Sequence, residues 1–221
     1  MIKDLSEQFK IILKKKYISH IHTTYTDGLN SVEDYCSWAA GHSYEVVIFS
    51  EHVRERMSYN FDNYIQDIEN SRLFFPSLKI LIGAESRVLP NGKLDISVQV
   101  LSHIQVLFFA CHEFPNDVEL YKTALTIIFK DKKLKKYPRV WAHPGNFFKR
   151  RKYSDESFDV LNKLIEIACN EDILIEKNLR DKLPPQKTLE KISPSHIIIG
   201  HDAHSIESIR GIEDNLESDW K

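Results

Sequence analysis

The sequence predicts an α/β fold with a parallel sheet, and three observations support this prediction. Short apolar runs rich in Val, Ile, Leu or Phe recur seven times along the 221 residues. Stretches with helical spacing lie between them. The composition, 42% hydrophobic and 28% charged residues, is that of an ordinary soluble domain long enough to bury a large core. This strand–helix alternation leaves a closed barrel and an open wound sheet as alternatives.

The seven apolar runs are short, bounded by polar or turn-forming residues, and typical of strands buried on both faces. They are residues 17–22, 45–50, 79–84, 105–110, 139–143, 172–178 and 196–200. Residues 93–100 form a further segment, which we expect to add an extra strand or a hairpin arm.

The stretches between the strands contain apolar residues at helical spacing. The clearest helices are predicted over residues 31–42, 60–75, 118–131 and 155–171. Ser31 suits the N-cap of the first helix, because Glu33 and Asp34 follow it in the first turn. The Lys-rich segment 130–139 is expected to form a helix end and a solvated loop. We expect one domain over residues 1–221.

Charge and cysteine content restrict the class of protein. Thirty Lys and Arg residues against 32 Asp and Glu residues give a formal net charge of −2, which disfavours broad nucleic-acid binding. No apolar run approaches the ~20 residues that cross a bilayer, and the N-terminus lacks a signal-peptide pattern. The three cysteines are widely spaced and form no C-x-x-C, which favours a reducing, cytoplasmic location; they are Cys36, Cys111 and Cys169.

Residues able to bind a metal follow almost every predicted strand. Carboxyl ends of parallel strands meet at one end of a sheet, so we expect one cluster and not scattered histidines. His20 and His22 are two apart on a strand, so both rings point to one face and can reach one cation at about 2.0–2.1 Å. Each residue alone is more often an ordinary polar or capping residue, but the ordered series favours a metal site. The candidate ligands are His20, His22, Asp27, His52, Glu85, His112, His143, Asp202 and His204.

The ordered motifs resemble those of the PHP family, the polymerase and histidinol phosphatase superfamily. They are H-x-H with T-D-G, S-E-H, G-x-E, an isolated His, H-P-G, E-x-N and G-x-D-A-H, and they extend from His20 to His204. The resemblance implies a distorted (β/α)7 barrel with a metal site at the carboxyl ends of the strands. It also implies a phosphoesterase with two or three divalent ions. Two positions depart from the family pattern: Ile18 replaces a common Asp, and His201 replaces a common Ser.

The resemblance further implies three metal subsites. The first would use His20, His22, Glu85 and Asp202. The second would share Glu85 and add His112 and His143, and the third would use Asp27, His52 and His204. Glu85, His143 and Asp202 are accordingly the candidate catalytic residues. Zinc, manganese and iron all suit mixed imidazole and carboxylate ligands.

Such a site suits the hydrolysis of a phosphate monoester. Three divalent cations would bring +6 and three carboxylates −3, so one hydroxide and one phosphate dianion would balance the remaining +3. The metals would lower the pKa of bound water toward ~7 and so provide a hydroxide nucleophile. Neither G-x-S-x-G nor a P-loop motif occurs. The expected partner is a small phosphorylated metabolite, namely histidinol phosphate, a sugar phosphate or a nucleoside phosphate, and no membrane partner is expected.

Two other functions are considered. One is a metal-dependent phosphodiesterase or exonuclease, although the only aromatic and basic patch, residues 147–151, is small for a nucleic-acid groove. The other is a non-catalytic PHP module, which the complete set of nine ligands disfavours. The sequence leaves the oligomeric state open.

Several residues beside the ligands have two possible roles. Arg54 and Arg87 lie closest to predicted ligands and are the candidate substrate-binding residues. The other basic residues that follow strands, Arg180 included, are expected to be solvated. Asn178 either orients a ligand or caps the next helix, and Cys111 is expected to be structural. No general acid is identified; His201 and Glu51 are the candidates considered.

Overall fold

Seven parallel strands form one sheet whose spatial order is the order of the chain. The computed structural model describes residues 5–218, with the side chains of residues 7–212. The strands are β1 (Tyr17–Ile21), β2 (Val46–Val53), β3 (Lys79–Arg87), β4 (Val106–Ala110), β5 (Arg139–Trp141), β6 (Leu174–Asn178) and β7 (Ile197–Gly200). All seven strand predictions are confirmed.

The sheet curls until the end of β7 meets β1, which makes a nearly closed barrel. The amides of His201 and Ala203 donate to the carbonyls of Ser19 and His20, each at 2.9 Å. The amide of His22 donates in turn to the Ala203 carbonyl at 2.9 Å. The register between β1 and β2 shifts between Ser19 and Ile21, so His20 lies at an irregularity of the first strand. The expected distorted barrel is confirmed, and the open sheet is ruled out.

Helices follow most of the strands and pack on the outside of the barrel. They are α1 (Leu5–Ile12), α2 (Val32–Gly41), α3 (Phe61–Phe74), α4 (Val98–His103), α5 (Val118–Lys130), α6 (Asn146–Lys149), α7 (Asp155–Asn170), α8 (Gln186–Leu189) and α9 (Ile206–Ser218). The four predicted helices are confirmed. Ser31 caps α2 as predicted, because its hydroxyl accepts from the Asp34 amide while the Asp34 carboxylate accepts from the Ser31 amide.

Residues 93–100 begin with a short hairpin arm, one of the two predicted alternatives, and add no extra strand to the sheet. One antiparallel bridge joins Val88 to Leu94, the Asp95 amide donates to the Arg87 carbonyl at 2.9 Å, and α4 begins at Val98. The cause is local, since the Ser97 hydroxyl accepts from the Val100 amide and starts a helix in a segment rich in β-branched residues. Capping chemistry therefore outweighs strand propensity at this position.

The barrel interior is apolar at the end where the strands begin. Its side chains come from alternate positions of six strands and are joined by Phe9 of α1. The main members are Phe9, Val46, Ile48, Leu81, Val106, Phe108, Val140, Leu174 and Ile198. The opposite strand faces pack on the helices and form the larger core. Among the described helices, none is both long and apolar enough to cross a membrane.

Candidate metal centre

The strand ends bring all nine predicted ligands into one connected cluster. β1 contains His20 and is followed by His22, while β2 and β3 contribute His52 and Glu85 from within the strands. The segments after β4, β5 and β7 supply the rest: His112, His143, Asp202 and His204. Asp27 joins through the turn that follows β1. The prediction of a single cluster is therefore supported by the fold itself.

Glu85 lies at the centre of the cluster and is fully buried. Five imidazole nitrogens lie within 4 Å of its two oxygens. The Oε1 distances are 3.6 Å to His20 Nε2, 3.0 Å to His112 Nε2 and 3.2 Å to His143 Nε2. The Oε2 distances are 3.8 Å to His22 Nε2 and 2.9 Å to His52 Nδ1. Burial by itself raises the pKa of Glu85, but His112 and His20 outweigh it and hold that pKa well below its usual range. The carboxylate is therefore ionised.

A first group of ligands surrounds the H-x-H pair. Asp202 Oδ1 lies 3.8 Å from His20 Nε2 and 3.7 Å from His22 Nε2, and Glu85 completes the group. Two ligand atoms that share a tetrahedral cation at ~2.1 Å lie ~3.4 Å apart, so these spacings are close to those of a shared ion. The four residues are those of the predicted first subsite.

Two further groups adjoin the first. His112 and His143 both face Oε1 of Glu85, as the second subsite requires. On the other side, Asp27 Oδ2 lies 3.6 Å from His52 Nε2 and 3.3 Å from His204 Nε2. Asp27 is 54% exposed, so this third group forms the open side of the centre.

Several buried ligand atoms have no hydrogen bond. They are His20 Nε2 and both ring nitrogens of His22. His52 Nδ1 and Glu85 Oε2 have only each other, at 2.9 Å. A buried polar atom without a partner costs about 1–3 kcal/mol, so a native fold rarely keeps a cluster of them without a ligand. Burial and the neighbouring His52 and His20 lower the pKa of His22, which keeps this ring in the neutral form that binds metals. The donor set therefore fits divalent cations.

Glu176 is the Glu of the E-x-N motif and a residue of the site, although it was not among the candidate ligands. It is fully buried on β6, and its Oε1 accepts a short hydrogen bond from His20 Nδ1. Its Oε2 accepts from the His143 amide at 2.8 Å. A carboxylate on Nδ1 leaves Nε2 free for a metal and fixes the ring. Gly200 makes room for it, since a Cβ at that position would lie 1.9 Å from Glu176 Oε1. The available signals were the E-x-N motif and the presence of one acid within an apolar strand.

Asn178 contacts two ligands from the same strand. Its Nδ2 lies 3.3 Å from His143 Nδ1 and 3.4 Å from Asp202 Oδ2. Its Oδ1 accepts from the Asp181 amide, and the Asp181 carboxylate lies 3.6 Å from His143 Nδ1. Burial lowers the pKa of His143, but the Asp181 and Glu85 carboxylates raise it to about 10. Of the two roles considered for Asn178, these contacts favour orientation of ligands.

Glu51 contacts the turn that contains Asp27. It is fully buried and accepts from the Thr23 amide and from the Thr26 hydroxyl. The same hydroxyl lies 3.2 Å from Asp27 Oδ1. Burial raises the pKa of Glu51 to about 7. These contacts hold the turn, and a role of Glu51 as general acid stays a prediction.

The basic residues differ in their partners. Arg87 Nη2 lies 2.8 Å from Asp95 Oδ2, and Arg54 Nε lies 3.8 Å from the same oxygen. Substrate binding by Arg54 and Arg87 therefore stays a prediction. Arg180 is 53% exposed, in line with the expectation that it is solvated, but its Nη1 also lies 2.9 Å from His204 Nδ1 and 3.5 Å from Asp202 Oδ2.

Two other candidate residues have structural contacts. Burial raises the pKa of the Cys111 thiol well above its usual range, which keeps it neutral and supports a structural role. His201 Nδ1 accepts from the Ser19 amide at 3.4 Å, at the seam between the last and first strands.

The fold and site define a class of protein: a barrel with a multi-histidine metal centre at the carboxyl ends of its strands. The PHP domain family matches residues 19–179, and the chain belongs to that family. The family assignment made from the motifs is thus confirmed.

Two known proteins are similar to the chain, one in sequence and one in fold. It is 24% identical over 206 residues to the DNA polymerase/3'-5' exonuclease PolX of Bacillus subtilis (strain 168), covering 86% of this chain and 34% of that protein. The chain thus spans about a third of that relative's length. The fold is similar to histidinol phosphate phosphatase from Lactococcus lactis subsp. lactis, solved with zinc, L-histidinol and phosphate. That match has a TM-score of 0.65 at 18% identity and covers 91% of this chain and 93% of the other.

Proposed function

We propose that this protein is a metal-dependent phosphatase that hydrolyses a small phosphate monoester. The observation that carries the proposal is the convergence of five imidazoles on Glu85 within a cluster of nine candidate ligands, where buried ring nitrogens lack hydrogen bonds. Membership of the PHP family and a fold shared with a phosphatase support an enzyme of this class.

The nine residues would hold two or three ions. One ion would bind to His20, His22, Glu85 and Asp202. A second would bind to Glu85, His112 and His143, and a third to Asp27, His52 and His204. When bound, divalent cations supply an activated water and the positive charge that holds phosphoryl oxygens. Zinc, manganese and iron suit these ligands equally.

The residues of the chain itself set the geometry of the reaction. Glu85 is ionised and fully buried, so its charge is available to two neighbouring cations and is not screened by water. Glu176 fixes the His20 ring and Asn178 contacts His143 and Asp202, so three ligands are oriented before a substrate arrives. Orientation in advance lowers the cost of reorganisation during the reaction.

The substrate approaches from the side of the third ligand group. Asp27 and Arg180 are about half exposed there, whereas His20, His22 and Glu85 are fully buried. A terminal phosphate can reach such an opening while the rest of the molecule stays outside. Histidinol phosphate is the first substrate to test, because the similar phosphatase was solved with L-histidinol and phosphate. A sugar phosphate or a nucleoside phosphate is an equal alternative.

The test is phosphate release by the purified protein after reconstitution with Zn²⁺, Mn²⁺ or Fe²⁺ in turn. The panel contains histidinol phosphate, sugar phosphates, nucleotides and bis-p-nitrophenyl phosphate. Release from a monoester that stops on chelation is the expected result. Release from no monoester, with ions demonstrably bound, would reject the phosphatase proposal.

A phosphodiesterase or exonuclease is the second candidate, and the identity with PolX favours it. The aromatic part of its expected nucleic-acid patch is unsuitable for base stacking, because Phe147 and Phe148 are each only 3% exposed. Hydrolysis of the diester or of single-stranded DNA, with no monoester cleaved, would make this candidate the better one.

A further inference from the structure

Three arginines stand near the centre, and two of them already share a counter-charge. Arg87 and Arg54 both face Oδ2 of Asp95, which is largely buried. Arg87 also lies 3.6 Å from the Glu113 carboxylate, and Arg54 donates to the Val53 carbonyl at 2.7 Å. These contacts hold both guanidinium groups against the wall of the barrel, where Asp95 already balances part of their charge.

Arg180 has a different environment. It follows β6 and is 53% exposed, and its Nη1 contacts His204 and Asp202. Asp202 belongs to the first ligand group and His204 to the third. The guanidinium therefore lies at the boundary between two predicted ion positions, on the open side of the centre.

His204 Nδ1 has two contacts that exclude each other. It lies 2.9 Å from Arg180 Nη1, which is a donor, and 3.1 Å from the Asp202 carbonyl oxygen, which is an acceptor. The first contact needs a lone pair on Nδ1 and the second needs a proton. Only one of these two contacts can be a hydrogen bond at a given moment, so the contact between Arg180 and His204 can be exchanged for another partner of the guanidinium.

We propose that Arg180 binds the phosphoryl oxygens of the substrate, an inference that rests on the proposed phosphatase function. A guanidinium presents parallel N–H groups that match two phosphate oxygens. Because Arg180 adds a positive charge beside the ions, it favours the dianion of a monoester over the monoanion of a diester.

Inorganic phosphate is the probe, and its binding to zinc-loaded protein is measured by titration calorimetry. The variants are Arg180→Ala and Arg180→Lys, with Arg56→Ala as the matched control because Arg56 is an exposed arginine of another loop at the same end of the barrel. We expect the Kd of phosphate to rise about tenfold or more in Arg180→Ala and less in Arg180→Lys. The Arg56→Ala protein and the zinc content of all variants remain unchanged. For a monoester that the protein cleaves, the KM of each variant should change by the same factor as its Kd for phosphate.

Wild-type phosphate affinity in Arg180→Ala, with zinc bound, would overturn the inference. Loss of zinc from that variant would also overturn it, because Arg180 would then act by holding His204. Failure of the proposed function gives a different pattern. If the wild-type protein cleaves no monoester but phosphate binding is lost in Arg180→Ala, the role of Arg180 in phosphate binding is supported and the phosphatase proposal is rejected. If the wild-type protein binds no phosphate, both proposals are rejected.

Discussion

The two halves of the barrel interior contrast sharply, although the same strands build both. β2 places Val46 and Ile48 among the apolar side chains at one end and His52 among the ligands at the other. Phe108 lies at the boundary, with its ring 5.3 Å from that of His20. Alternation along a strand thus decides which side chains face inward, and distance along the strand decides whether they stabilise the fold or bind a ligand.

The backbone differs between the halves in the same way. His20, His143 and Asp202 have φ angles of 59°, 48° and 51°, in the left-handed region that side chains with a Cβ rarely adopt. No interior apolar residue of the described chain has such an angle. Each left-handed residue costs about 1–3 kcal/mol. The ligand half therefore contains strained backbone and polar atoms without hydrogen bonds. Burial of apolar side chains in the other half offsets these costs, and bound cations would provide partners for the polar atoms.

The largest effect is expected from Glu85→Ala. Removal of the one carboxylate that faces five imidazoles should abolish both ion positions that share it and lower kcat/KM about 1000-fold or more. Zinc content and phosphate release are measured on the same samples. Glu85→Gln, which keeps the volume, is the control, and substantial turnover in either variant would reject a shared carboxylate.

Phe9→Ala should damage only the apolar half. Phe9 is 3% exposed and packs on the interior cluster, so its truncation should lower the free energy of unfolding by about 3 kcal/mol. Zinc stoichiometry below the unfolding temperature should equal that of wild type. Thermal unfolding and zinc content together test whether the apolar half can be weakened without loss of the metal centre. A Phe9→Ala protein that is folded but binds no zinc would show that the two halves are not independent.

Glu176→Gln should have a smaller effect, confined to the ligand half. The amide keeps the volume but cannot accept from His20 Nδ1 as strongly as a carboxylate, so zinc affinity should fall about 10- to 100-fold. Competition with a chelator measures this change. Glu190→Gln, at an exposed glutamate, is the control. An unchanged affinity would mean that Glu176 acts only in packing.

The smallest effect is expected at the rim. Thr26→Val removes the hydroxyl that links Glu51 to Asp27 and leaves a buried acceptor with one contact fewer, a cost of about 1 kcal/mol. The most weakly held ion should then bind about fivefold less tightly, while the other ions bind as before. Thr24→Val changes an exposed threonine of the same turn and serves as the control. Equal losses of ion affinity in Thr26→Val and Thr24→Val would show that both substitutions only destabilise the turn.

The contrast between the halves also explains what the sequence could predict. The strands and the nine candidate ligands could be predicted from local patterns, because apolar runs end where the polar motifs begin. Glu176 lay in a motif, but its role was missed because its partner His20 is 156 positions away and on a different strand. The contacts of Arg180 were missed for a similar reason, since His204 is 24 positions away in the sequence. The helix at Val98 was missed because a single capping serine outweighed a β-branched run.

The seam between β7 and β1 has a consequence for how the protein is made. The backbone bonds that close the ring join residues 19–22 to residues 201–203, which lie about 180 positions apart. Contacts between such distant positions form late in folding, because the intervening chain must be ordered first. The first ligand group spans this seam, with His20 and His22 on one side and Asp202 on the other. A chain still being synthesised can therefore fold its early strands without assembling that group, and the capture of an ion there reports that the ring has closed.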